Sequence, residues 1–276
     1  KPVVTVGRFT SPDTMASQIK RGVVDFIGAA RPSIADPFLP KKIEEGRPED
    51  IRECIGCNIC YTGDGLGVPI RCTQNPTMGE EWRRGWHPEF IAKKGSESSV
   101  LVVGAGPAGL EATRALGQRG YRVTLAEATR ELGGRVTRES KLPGLSEWQR
   151  VRDYRLQQID VMPNVEVFRE SELSVDEVLA VEADHIVFAT GAAWRADGFG
   201  RSNLHPLTTL SPGARILTPD DIMAGHLPDG PTVIFDDDSF YMGGVIAEQV
   251  CRANVPVSLV TPENVVSAWC EYTSEQ

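Results

Sequence analysis

SVLVVGAGPAGLEATRALGQRGYRVTLAEA, residues 99–128, decides the fold. An apolar run leads into Gly104-x-Gly106-x-x-Gly109, a helical stretch follows, and a second apolar run ends at Glu127. Each position has its own physical task. Gly104 allows a tight turn, Gly106 lets backbone approach a pyrophosphate, Gly109 lets the helix pack closely on the strand, and Glu127 stands where a ribose hydroxyl is bound. Phosphate charge would rest on the helix N-terminus at Pro107 and Ala108. Strand, turn, helix, strand and acid in this order predict a parallel α/β, Rossmann-like domain that binds a dinucleotide-type ligand.

Downstream, ELGGRV at residues 131–136 supplies a further glycine turn, with Gly134 and Arg135 able to approach the same nucleotide. HIVFATGA at residues 185–192 reads as another buried strand of that domain. A third segment, residues 231–262, repeats strand, helix and strand without the glycine signature. Asp236, Asp237 and Asp238 occupy the place where phosphate would approach, and like charges repel it. Cys251 in its helix reads as a small buried apolar residue. Cys270 has no assigned role, and Trp269 with Tyr272 reads either as an aromatic docking patch or as core.

Upstream, the polar run KKGSESS at residues 93–99 reads as a linker. Before it stands CIGCNICYTGDGLGVPIRC, residues 54–72. Cys54, Cys57 and Cys60 are each separated by two residues and Cys72 is separated from Cys60 by eleven, a spacing that can place four thiolates on the irons of one 4Fe-4S cluster. A structural zinc site usually divides its ligands into two separated pairs, so the spacing favours iron–sulfur over zinc. His87, beside Pro88, reads as a hydrogen-bonded structural residue rather than a ligand, in a segment read as irregular chain packed on the metal site. The opening residues alternate again: a short buried strand at residues 3–6, a helix at 12–21, a strand at 25–30 and a helix near 37–45. Gly7 and Arg8 follow the first strand, Ala30 and Arg31 the second, where a (β/α)8 barrel builds its phosphate site after its last two strands. Read alone, without the cysteine segment beside them, they are better taken as an ordinary turn glycine and two surface arginines.

The 29 basic and 38 acidic residues leave a net charge of −9 with no sustained basic run, which argues against nucleic acid and anionic membranes as partners. No apolar stretch is long enough to span a bilayer. Six cysteines, four of them clustered, suit a reducing cytoplasm. The chain opens KPVVTVGR without Met and reads as a fragment or processed subunit.

The combination resembles the iron–sulfur flavoprotein amine dehydrogenases, the trimethylamine, dimethylamine and histamine dehydrogenase group, with the 2,4-dienoyl-CoA reductases as cousins. RECIGCNIC at residues 52–60, followed by CTQNPTMGEEWRRGWHPE at 72–89, carries the resemblance to the amine branch. It implies four segments: the end of an FMN-binding (β/α)8 barrel (1–50), a 4Fe-4S segment (51–92), an ADP-binding Rossmann-like domain (93–230) and an incomplete second nucleotide-domain-like segment (231–276). It implies FMN phosphate at Gly7, Arg8, Ala30 and Arg31, cluster ligands at the four cysteines, and ADP, with FAD as the alternative, at Gly104 to Gly109 and Glu127. The activity implied is oxidation of an amine at FMN, with electrons leaving through the cluster to an acceptor resembling electron-transferring flavoprotein. A homo-oligomer, and a chain inactive without the remainder of the barrel, are also expected. The barrel strands that bear the family's catalytic groups have no counterpart here, so no catalytic residue is named. The alternatives are an NAD(P)H-dependent dienoyl-CoA or enoate reductase and a non-catalytic electron-carrier subunit.

Overall fold

The computed structural model describes residues 1–7, 9–65, 67–207 and 213–270. The chain folds as two compact units, residues 1–137 with 147–191 and residues 138–146 with 192–276.

The first unit opens with β1 (Val4–Val6), α1 (Pro12–Lys20), β2 (Phe26–Gly28), α2 (Ala30–Ala35) and α3 (Leu39–Glu44). β1 and β2 pair in parallel, as the alternating pattern predicts, with Thr5 opposite Ile27. Burial departs from expectation: Val4 and Val6, which share one face of this two-stranded sheet, are exposed. The cysteine segment follows, containing α4 (Ile59–Gly65) and, in the stretch expected to be irregular, the single turn α5 (Glu81–Arg84). The linker then feeds β3 (Ser99–Val103), α6 (Pro107–Arg119) and β4 (Arg122–Ala126). After α7 (Arg135–Glu139) come α8 (Gln149–Asp160), β5 (Val165–Phe168), α9 (Val175–Ala180) and β6 (His185–Phe188).

These strands form a four-stranded parallel sheet in the order β5-β4-β3-β6. Successive side chains of a strand point to opposite faces. Val100 and Val102 of β3 therefore enter one core with Leu110, Val123, Leu125 and Ile159, while Leu101 enters a second with Ala126 and Val178. Cover on both faces is why this strand is an unbroken apolar run. β6 is less buried than its sequence suggests. It lies at the sheet edge with Phe188 exposed, and Val187 alone of its residues packs on the larger core.

The second unit holds α10 (Pro219–Met223), β7 (Thr232–Phe235), α11 (Met242–Arg252) and β8 (Val257–Val260). β7 and β8 pair in parallel, and Met242, Val245, Ile246 and Val250 give α11 its buried face. Cys251 is exposed, contrary to expectation, because it lies one position past the inward-facing Val250. α10 starts with a reciprocal cap: Thr218 Oγ1 accepts from Asp221 N–H at 3.3 Å and Asp221 Oδ2 accepts from Thr218 N–H at 2.8 Å. Thr218→Ala should lower the unit's stability by about 1 kcal/mol, read as a lower urea midpoint. The Thr218 N–H and hydroxyl hold the Asp221 carboxyl below its usual range. The cap's electrostatic part is therefore present above the unfolded carboxylate pKa and is lost as pH falls through the folded one.

Candidate functional site

Cys54 and Cys57 lie on irregular chain, Cys60 in the first turn of α4, and Cys72 beyond that helix. Two left-handed residues bracket Cys57, Gly56 at φ +76° and Asn58 at φ +56°. Asn58, a residue type that tolerates the left-handed region, releases Ile59 into the helix. Burial raises the thiols of Cys54, Cys60 and Cys72, and the charge of Cys57 raises all three further. The sulfurs also meet donors. Gly56 N–H lies 3.4 Å from Cys54 Sγ, and the backbone at Tyr61 and at Gln74 and Asn75 opposes the rise that burial imposes on Cys60 and Cys72. Cys57 Sγ stands 3.2 Å from Thr73 Oγ1.

Among the described residues, no three His, Cys, Asp or Glu side chains are grouped tightly enough to hold a single metal ion. A cubane gives each thiolate its own iron, so its ligands stand further apart. Four mutually interacting thiols backed by N–H donors fit such a cluster. His87 is occupied structurally, its Nδ1 accepting from the N–H groups of Glu89 and Phe90, each at 3.0 Å, while its ring stacks on Phe38.

One cavity is lined by Gly7, Thr10, Gly28, Ala30, Arg31 and Cys54. The two loops expected to bind the FMN phosphate thus share a wall with the first cysteine. Arg8 lies outside the described residues. The Arg31 guanidinium donates to Asn58 Oδ1, and its charge acts on Cys54 and Cys60, opposing the rise that burial imposes.

At the nucleotide turn, Gly104 has φ +99°, and a Cβ there would meet Ala189 O at 2.5 Å. A Cβ on Gly109 would lie 1.8 Å from Gly104 O, so α6 rests directly on the turn. Gly106, by contrast, has open space where a Cβ would project and extended backbone at φ −69° and ψ −178°, with Pro107 opening the helix behind it. Glu127 Oε2 accepts from Ala105 N–H at 2.7 Å, and Oε1 accepts from Thr129 N–H and Oγ1, each at 2.9 Å. The acid at the end of β4 is therefore held against the turn by two loops. Gly133 N–H donates to Ala105 O at 2.8 Å, and a Cβ on Gly134 would come within 3.1 Å of Gly106 Cα. This second glycine turn closes over the first, and Arg135 opens α7 immediately after it.

The corresponding place in the third segment is filled by protein. Asp236 is buried, its Oδ1 accepts from Ser239 N–H at 3.0 Å, and a Cβ on Gly243 would lie 2.4 Å from its carboxyl carbon. Asp237 accepts from the backbone of Arg201 and Ser202, and burial followed by Asp236 raises the Asp238 carboxyl. A carboxylate thus occupies the start of α11. Cys270 is buried; Trp269 is half exposed under the Arg201 guanidinium, and Tyr272 lies outside the described residues.

Residues 1–50 match the NADH:flavin oxidoreductase / NADH oxidase family, and residues 98–209 the pyridine nucleotide-disulphide oxidoreductase family. The chain superposes with a TM-score of 0.96 on histamine dehydrogenase from Rhizobium sp. 4-9, at 59% identity over 100% of this chain and 40% of that one. Dimethylamine dehydrogenase of Hyphomicrobium sp. (strain x) is 44% identical over 100% of this chain and 38% of its own length. The chain belongs to the dimethylamine and histamine dehydrogenase family. A further relative of these dehydrogenases, the 6-hydroxypseudooxynicotine amine oxidase of Pseudomonas geniculata N1, superposes with a TM-score of 0.93 at 53% identity, over 98% of this chain and 41% of that one. The chain therefore spans about two fifths of the length of these dehydrogenase-family proteins. Among the described residues no helix is long and apolar enough to cross a membrane.

Sequence reading passes over one element of this dehydrogenase-family site, α8. Its Arg150 donates to Cys54 O at 3.2 Å and Thr10 Oγ1 at 3.1 Å, Val151 packs on Ile55 with Cys57 beside it, Tyr154 lies under Arg52, and Arg155 donates to Gln74 Oε1 at 3.0 Å. The charged residues of QRVRDYRLQQID obscure a signal that is present, since Val151, Tyr154, Arg155 and Ile159 recur at helical spacing and are all buried.

Proposed function

We propose that the chain is the electron-transfer part of a flavin-dependent amine dehydrogenase. Cys54, Cys57, Cys60 and Cys72 would hold a 4Fe-4S cluster, the loops at Gly7, Arg8, Ala30 and Arg31 the FMN phosphate, and Gly104 to Gly109 with Glu127, Gly134 and Arg135 an ADP moiety. When bound, FMN would take the amine's electron pair and the cluster would hand electrons singly to a protein acceptor such as electron-transferring flavoprotein. The observation that carries this reading is the cavity shared by Gly7, Ala30, Arg31 and Cys54, because it sets a phosphate-type loop pair and a cluster-type cysteine side by side. The chain's own groups prepare both. Arg31 supplies positive charge between them, while N–H donors offset negative charge on the sulfurs.

The blocked start of α11 supports a protein acceptor over a nicotinamide nucleotide, whose pyrophosphate needs a free helix N-terminus. The test is to reduce the holoenzyme with dithionite and mix it separately with electron-transferring flavoprotein and with NAD(P)+. Rapid reoxidation by the flavoprotein alone is expected. Reoxidation by the nucleotide alone would replace this reading with the reductase one.

A further inference from the structure

We infer that Arg155 of α8 is a positioning residue for the cluster, holding Gln74 so that the backbone at residues 74 and 75 donates to Cys72 sulfur; this rests on the cluster reading above. Gln74 lies two residues after Cys72 and is fully buried. Its side chain is fixed at both ends: Oε1 accepts from Arg155 at 3.0 Å and Nε2 donates to Glu53 O at 3.0 Å, beside Cys54. Arg155 also reaches Gln74 O at 3.4 Å, so its fork grips side chain and main chain of one residue. The arginine itself is anchored by Val151 O at 2.8 Å and by Glu111 of α6 at 2.8 Å.

Asn75 is clamped from the other side. Its Oδ1 accepts from the buried Arg52 at 3.0 Å and its Nδ2 donates to Ile34 O at 3.0 Å. Two buried cations therefore immobilise the two residues whose N–H groups face Cys72. Hydrogen bonds to a cluster's sulfurs favour its more negative, reduced state, so the grip on Gln74 raises the cluster's potential.

The test is an anaerobic redox titration, followed by EPR, of the holoenzyme and three variants. At the potential where the wild-type cluster is half reduced, Arg155→Met should show about a tenfold lower reduced-to-oxidised ratio, equal to 59 mV for a one-electron couple. Gln74→Leu, which keeps the Arg155 charge, should shift in the same direction, and Arg155→Lys should recover only part of the loss. The potential is read on the loaded fraction, so lower loading does not obscure it. Unmoved potentials in Arg155→Met and Gln74→Leu overturn the inference, as does a shift that Arg155→Lys restores completely with none in Gln74→Leu, since charge alone would then suffice. Wild-type protein without iron and sulfide would instead overturn the cluster reading itself.

Discussion

Gly109→Ala is expected to remove nucleotide binding and to destabilise the first unit's sheet strongly. The added methyl would sit 1.8 Å from Gly104 O, a backbone atom of a turn already held by Ala189, so helix and strand must separate. Overpacking usually costs about 1–3 kcal/mol when side chains can yield; here only backbone can, so about 3 kcal/mol or more is expected. That is a large share of the roughly 5–15 kcal/mol by which a domain is stable. Gly106→Ala provides the contrast. Its backbone is extended and its Cβ direction is open, so thermal stability should stay near wild type. Yet that open space is where a pyrophosphate would lie, and ADP affinity should fall at least about tenfold. Thermal unfolding and ADP calorimetry on the two variants check this; equal stability loss in both would show that the glycines have no separate tasks.

Replacing Cys57 by Ser should strip the chain of its iron. Cys57 is the thiol that acts electrostatically on each of the other three, and its sulfur is backed by Thr73. A serine hydroxyl is a hard, weakly acidic ligand in place of a soft thiolate. Iron and acid-labile sulfide should drop from about four of each per chain to a small residue. Cys251→Ser, on the exposed side of α11, should leave both unchanged. Equal iron in the two variants would dissociate the cysteine spacing from metal binding.

The parts of this molecule legible in the sequence are those whose chemistry is local. Gly104 and Gly109 answer to the geometry of one strand–turn–helix, a φ of +99° at the first and the close approach of the second to Gly104 O. The spacing of Cys54, Cys57 and Cys60 is likewise a property of seven residues. What stayed hidden depends on distant chain. Arg155 and Gln74 are 81 positions apart, and neither residue type announces burial. Strand exposure at β1 and β6 departs from the apolar pattern for a related reason: an apolar run shows that a strand can bury a face, whereas the elements packed on the sheet decide how many faces are covered. Cys251 was misplaced by one helical position, about 100° of rotation, which composition alone does not fix.

The face of α8 that meets residues 50–75 also bears on how such a protein can evolve. The linker at residues 93–99 looks like a natural seam for recombination, a polar join between two segments that match separate families. A crossover there that imported another dinucleotide domain would leave Arg52 without Tyr154 beneath it, Gln74 without Arg155 and Cys54 O without Arg150. Buried polar groups stripped of partners cost more than they return. A crossover that kept these contacts would have to carry the cysteine segment and α8 together.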